Sequence, residues 1–150
     1  MQEIIVYCDG GSRGNGKSDS IGGWGVVLRY LEYEKDLYGG DKGVTNNQME
    51  LTGAIKALEA IKTTNIPVKI HCDSAYVVNG MTSWVAGWKK RGWKKGDGKT
   101  PENKELWQRL DELVHRQHDC QFVKVKGHVG VELNELADQL ANKAMDEISA

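Results

Sequence analysis

Four acidic residues stand where a carboxylate is able to do more than solvate a surface. Asp9 closes the apolar run Ile4-Ile5-Val6-Tyr7-Cys8, and Asp73 closes Pro67-Val68-Lys69-Ile70-His71-Cys72. Both are predicted at the carboxyl ends of buried strands, where open α/β sheets place their sites. Glu50 falls in the first turns of one amphipathic stretch and Asp138 on the polar margin of another. Each acid also has an ordinary structural reading. Asp9-Gly10 and Asp73-Ser74 are good turn dipeptides, Asn47 three residues before Glu50 matches a capping box, and Asp138 shares a helix face with Asn134 and Glu135. Against the cap, Glu50, Ala54, Ala57 and Ile61 recur at spacings of three or four, which leans the glutamate toward the sheet. Four acids drawn together repel one another and need cations. Oxygen-only ligands suit magnesium or manganese, and paired ions of this kind activate water and stabilise a leaving oxygen. Spacing alone leaves the convergence open.

The elements that must position these acids read as one domain spanning residues 1–150, of 39% hydrophobic and 27% charged composition, large enough to bury a core. Ile4–Cys8 is a strand ended by a glycine turn. Gly23–Tyr30 and Glu32–Tyr38 form two more strands joined by a tight connection, followed by a helix over Asn46–Lys62. Pro67–Cys72 is a strand reached through that helix, hence by a parallel crossover. Short helical segments are expected over Ala75–Trp88. Thr100-Pro101 reads as an N-cap and first helical residue, with Leu106, Leu110, Leu113 and Val114 carrying the period. Gln121–Lys126 is a last strand, and Leu133, Leu136, Ala137, Leu140 and Ala144 mark a terminal helix. The fold class is α/β, a five-stranded mixed sheet with helices packed on it. If the two acid-bearing strands are neighbours, Cys8 and Cys72 point to the face opposite Asp9 and Asp73 and are packing residues. Three widely spaced cysteines imply neither a disulfide framework nor a zinc site. No apolar run is long enough to span a bilayer and no leader pattern opens the chain, so a cytoplasmic protein without a membrane partner is expected. The absence of heptads makes a monomer, with no protein partner required, the simplest expectation.

The local strings resemble a known family. Asp9-Gly10-Gly11-Ser12, Thr45-Asn46-Asn47-Gln48-Met49-Glu50-Leu51, Cys72-Asp73-Ser74, Gly127-His128 and Asn134-Glu135-x-x-Asp138 are together similar to the signature of type 1 ribonuclease H, in order and over essentially the whole chain. Trp84 to Lys94 is similar to the basic protrusion of the bacterial enzymes. The resemblance implies a ribonuclease H-like fold and an endonuclease that cuts the RNA strand of an RNA/DNA hybrid, leaving 5′-phosphate and 3′-hydroxyl ends. It implies two Mg2+ ions, with Mn2+ as a substitute, held by Asp9, Glu50, Asp73 and Asp138. His128, between Gly127 and Gly130, matches a mobile histidine that assists proton movement or product release.

For the hybrid itself, the resemblance assigns Gly10, Gly11, Asn47 and Gln48 to the groove face that meets the 2′-hydroxyls. Thr45 and Asn103 match a pocket for a DNA-strand phosphate, and Asn103 after Pro101 would sit at a helix N-terminus that favours an anion. Trp84 matches an aromatic that packs on DNA-strand sugars; at helical spacing with Trp88 it reads equally as core. Lys89, Lys90, Arg91, Lys94 and Lys95 crowd cations around tryptophans in a chain of net charge −1, as a phosphate-binding handle or a solvated face. The chain departs from the family pattern in the longer loop after Asn15, in Gly43 with Lys42 where many relatives carry an arginine, and in Gly11-Ser12 where a serine follows Asp-Gly directly. A non-catalytic hybrid binder gains nothing by presenting four anions to phosphate. A DNA-cutting nuclease of the same fold is disfavoured by the Thr45–Leu51 string and the handle.

Overall fold

The computed structural model describes residues 2–15, 17–125 and 132–150. The chain forms β1 (Ile4–Arg13), β2 (Ile21–Tyr30), β3 (Tyr33–Lys42), α1 (Asn46–Ala60), β4 (Val68–Cys72), α2 (Ala75–Asn79), a π-helical turn over Gly80–Trp84, α3 (Val85–Lys90), α4 (Lys104–Arg116), β5 (Cys120–Lys124) and α5 (Glu132–Ser149). The sheet order is β3-β2-β1-β4-β5. Pairs β1·β2 and β2·β3 are antiparallel, while β1·β4 and β4·β5 are parallel, so the expected mixed five-stranded α/β sheet is the observed one.

Alternation explains the layers. Ile4, Val6 and Cys8 of β1 and Val68, Ile70 and Cys72 of β4 are buried on one face, under Leu51, Ala54, Ile55 and Leu58 of α1 and Trp107, Leu110 and Leu113 of α4. The Cys8 and Cys72 thiols meet there at 3.1 Å as buried packing residues. Helix α5 lies on the other face. It comes close because β2 offers glycines: a Cβ at Gly23 would stand 2.3 Å from the Ala141 carbonyl oxygen, and one at Gly25 2.2 Å from that of Ala137. Among the described residues no helix is long and apolar enough to cross a membrane.

Several boundaries differ from expectation, each for a tertiary reason. Strand β1 does not end at Asp9. It continues through Gly10-Gly11 to Arg13 because β2 goes on pairing it, Asp9 with Gly25 and Arg13 with Ile21, after the parallel ladder to β4 stops at Cys8 and Cys72. Thr100-Pro101 does not begin α4. The helix starts at Lys104 behind Asn103, whose left-handed φ of 59° turns the chain into it. Helix α1 stops at Ala60, with Ile61 already extended. Strand β5 is described to Lys124; the expected last strand residue, Lys126, lies outside the described residues.

Candidate active site

Glu50 reaches the sheet because it is not needed as a cap. The capping box of α1 is closed by Thr45 and Gln48: the Gln48 amide donates to Thr45 Oγ1 (3.2 Å), and the Thr45 amide donates to Gln48 Oε1 (2.9 Å). The Asn47 box expected as the alternative is not formed. One turn into the helix, Glu50 faces β1, and Gly10 makes this possible, since a Cβ there would stand 2.4 Å from the Met49 carbonyl carbon. The Gly10 N–H donates both to Asp9 Oδ1 (2.9 Å) and to Glu50 Oε1.

Burial pushes the Asp9 carboxyl up to about 6, reinforced by contact with the Asp138 carboxyl and opposed by hydrogen bonds from Glu50 and the Gly10 amide. Burial, then the charge of Asp9, pushes Glu50 up to about 9. Between these limits the pair holds a proton in place of a cation. Asp138 arrives from α5 through the glycine contact described above, since Gly25 is the register partner of Asp9 and meets Ala137, the residue before Asp138. Asp73 directly follows Cys72, the register partner of Cys8, and so lies just past the end of the parallel ladder. Its Oδ1 lies 3.5 Å from Lys124 Nζ. Among the described residues no three acidic, histidine or cysteine side chains form a closed metal-binding group; the contacts of Asp9 with Glu50 and with Asp138 are pairwise. The donor set is oxygen only and drawn from carboxylates, with Asp9 and Glu50 both shifted toward the protonated form by burial, a composition that fits a hard divalent cation. His128 lies outside the described residues.

Of the residues that the resemblance assigns to substrate, Thr45, Asn47, Asn103, Trp84 and Lys95 line two hollows that share Glu102. The first is a cleft of about 510 Å³ lined by Asn15, Thr45, Asn46, Asn47, Glu102 and Asn103. Asn15, Asn46 and Glu102 were not singled out from sequence, although the run of short amides at Asn46-Asn47 was visible. Asn46 ties the end of β1 to α1, accepting from the Ser12 amide at 2.6 Å, while its own amide donates to Asn15 Oδ1 at 2.9 Å. Asn103 stands at the N-cap position of α4 but does not cap it. Its side chain donates to Tyr76 Oη (3.1 Å) and accepts from Gln48 Nε2 (3.4 Å). Tyr76 Oη also accepts from Nε1 of the fully buried Trp107 (3.1 Å), so an unpredicted tyrosine joins the helical run to the cleft.

The second hollow is lined by Tyr76, Trp84, Trp88, Lys95, Pro101 and Glu102. Trp84 stacks edge-on against Tyr76 and Trp107 and is 38% exposed. The handle follows. Gly92 and Trp93 take left-handed φ values of 69° and 65°, folding Trp93 back on Trp88. Lys89, Lys90, Arg91, Lys94 and Lys95 are all exposed; Lys89 pairs with Asp111 at 3.0 Å and Arg91 Nε donates to the Lys94 carbonyl. At Gly11 a Cβ would meet only ordinary contacts, Asn46 Oδ1 at 3.9 Å and Met145 Cε at 4.0 Å.

This architecture matches known proteins over its whole length. The family model described as RNase H matches residues 1–146. The chain is 51% identical over 149 residues to the Ribonuclease H of Ruthia magnifica subsp. Calyptogena magnifica, covering 99% of both chains. It is 46% identical over 149 residues to that of an Acidovorax species, covering 99% of this chain and 98% of the relative. Among solved structures it is similar to LC9-RNase H1, described as a type 1 RNase H with the type 2 active-site motif, at 34% identity and a TM-score of 0.82, covering 98% of this chain and 74% of that one. It is also similar to LC11-RNase H1, solved in complex with an RNA/DNA hybrid, at 27% identity and a TM-score of 0.74, covering 99% and 100%. With its mixed five-stranded sheet, its motifs and its length all in agreement with these relatives, the chain belongs to the RNase H family, type 1.

Proposed function

We propose that this chain, as a single domain and a cytoplasmic monomer, hydrolyses the RNA strand of RNA/DNA hybrids, leaving 5′-phosphate and 3′-hydroxyl ends. The observation that carries the reading is the half-buried Asp9–Glu50 pair sharing the Gly10 amide, with Asp138 in contact with Asp9, together with the amide-lined cleft. Enzymes of this family use divalent metal ions. Asp9, Glu50, Asp73 and Asp138 would hold two Mg2+ here, with Mn2+ as a substitute. What such bound ions supply is an activated water and neutralisation of charge at the phosphate.

The chain's own residues do the rest. Burial and mutual repulsion keep Asp9 and Glu50 short of positive charge, so the site favours cations over water. The Gly10 and Gly11 backbone and the Asn47 and Gln48 side chains offer donors and acceptors for 2′-hydroxyls. Gln48 does this with a side chain already held by Thr45 and Asn103, so it is pre-oriented. Thr45 and Asn103 line the cleft for a DNA-strand phosphate, Trp84 offers a face to its sugars, and Lys90, Arg91, Lys94 and Lys95, with Lys89 behind them, draw in the duplex. His128 is assigned the movement of a proton at the leaving oxygen or the release of product.

The test is cleavage of an end-labelled hybrid against matched duplex DNA and duplex RNA, with magnesium, manganese or chelator. The hybrid is cut with metal only, duplex DNA is spared, and duplex RNA is cut poorly. A DNA strand carrying one ribonucleotide resists, while a run of about four is cut, because the groove is read through successive 2′-hydroxyls. Efficient incision at a single ribonucleotide overturns the specificity.

A further inference from the structure

Among the described residues, the acidic site is met by a cation of its own. Lys124 ends β5, and its backbone is fixed against the site by register: it is the partner of Cys72, and the next amide, Val125 N–H, donates to the Cys72 carbonyl at 2.8 Å. The side chain then lies across the end of β4, with Nζ 3.5 Å from Asp73 Oδ1 and donating to the Val125 carbonyl at 3.0 Å. The Asp73 side chain is 23% exposed and that of Lys124 42% exposed, so the pair sits at the rim of the site rather than in open solvent.

We propose that Lys124 is a displaceable counter-ion of Asp73: its ammonium occupies this carboxylate in the metal-free protein, competes with a divalent ion for it, and so sets the metal affinity of the site. The inference rests on the proposed metal-binding role of Asp73. The physical argument is one of competing charges. A carboxylate already neutralised at 3.5 Å attracts a second cation less strongly, and the arriving ion must also move the ammonium aside. The sheet does not depend on the pair, because β5 is an edge strand and its hydrogen bonds to β4 are made by backbone.

The experiment is calorimetric titration of the full chain with MgCl2 and with MnCl2, without nucleic acid, so that the readout is independent of catalysis. Lys124→Met and Lys124→Gln should bind metal about two- to fivefold more tightly than wild type, the effect of removing one part-exposed ion pair. Lys124→Arg should stay within about twofold of wild type. Lys69→Met removes the same charge four residues before Asp73, about 13 Å away along the strand and beyond a Debye length, and should change little. The magnesium concentration giving half-maximal cleavage should fall in step with the binding constants. Unchanged or weaker binding by both Lys124→Met and Lys124→Gln overturns the proposal, as does an equal gain in Lys69→Met. Absence of saturable binding in every variant, wild type included, overturns the metal reading itself and this inference with it.

Discussion

Asp9 and Glu50 hold protons above their ordinary range because burial removes the water that would solvate their charges, and the Gly10 amide is too small a compensation. The sign of the consequence follows from linkage. A carboxyl whose folded value exceeds its unfolded one binds more protons in the folded state, so stability falls as pH rises from about 4 through about 6 for Asp9, and from about 4.5 toward about 9 for Glu50. Asp9→Asn or Glu50→Gln should therefore stabilise chelator-treated protein at pH 8 by on the order of 1–3 kcal/mol, seen as a higher thermal midpoint. The gain should shrink as pH is lowered toward about 4. The same variants, and Asp73→Asn, should bind hybrid yet lose cleavage by at least about a hundredfold, since even outer-shell partners of metal ligands cost roughly 10–100-fold. Melting curves across pH, with and without magnesium, beside single-turnover assays, check both halves. A folded Asp9→Asn or Asp73→Asn that cuts at near wild-type rate in magnesium defeats the assignment.

At the scale of elements, the site is assembled by two close approaches that glycine permits. Gly10 lets α1 bring Glu50 onto β1, and Gly25 lets α5 bring Asp138 onto the same residue, Asp9. Gly25→Ala should cost about 1–3 kcal/mol in urea unfolding, because the clash is with helix backbone and not with a flexible side chain. Its catalytic rate should fall further than the fraction unfolded accounts for, since α5 carries the displaced carboxylate. Gly96→Ala, with nothing within 4 Å of the added carbon, is the control and should leave both quantities unchanged. If Gly25→Ala matches that control, the account of how Asp138 is delivered is wrong.

Over the whole molecule, charge is segregated rather than abundant. The chain has 20 basic and 21 acidic residues, yet cations gather on the handle while acids occupy the centre of the site. A hybrid is thus drawn by the handle and cut where the metals would neutralise the acids. Replacing Lys90, Lys94 and Lys95 by alanine should weaken hybrid binding and reduce the slope of log affinity against log salt by about one for each phosphate that a lysine no longer neutralises. Lys89→Ala should have the smallest effect of the handle substitutions, because Asp111 already neutralises it. Binding isotherms over a series of salt concentrations decide, and an unchanged slope in the triple variant removes the handle from the binding account.

The alternation of Ile4, Val6 and Cys8, the matching run at Val68–Cys72 and the helical period through Leu51–Leu58 were enough to predict the mixed sheet, its parallel pair and the face on which the thiols pack, because these are local signals of period two and 3.6. The four acids were legible by type and by motif. What tertiary structure alone decided is which partners reach them. Thr45 rather than Asn47 closes the capping box and leaves Glu50 to Asp9; β1 continues past Asp9 because β2 holds it there; Asn103 turns α4 from a left-handed cap tied to Tyr76; and Lys124 meets Asp73. Each of these depends on a residue distant in sequence arriving at a particular distance, and nothing in a period or a dipeptide encodes that arrival.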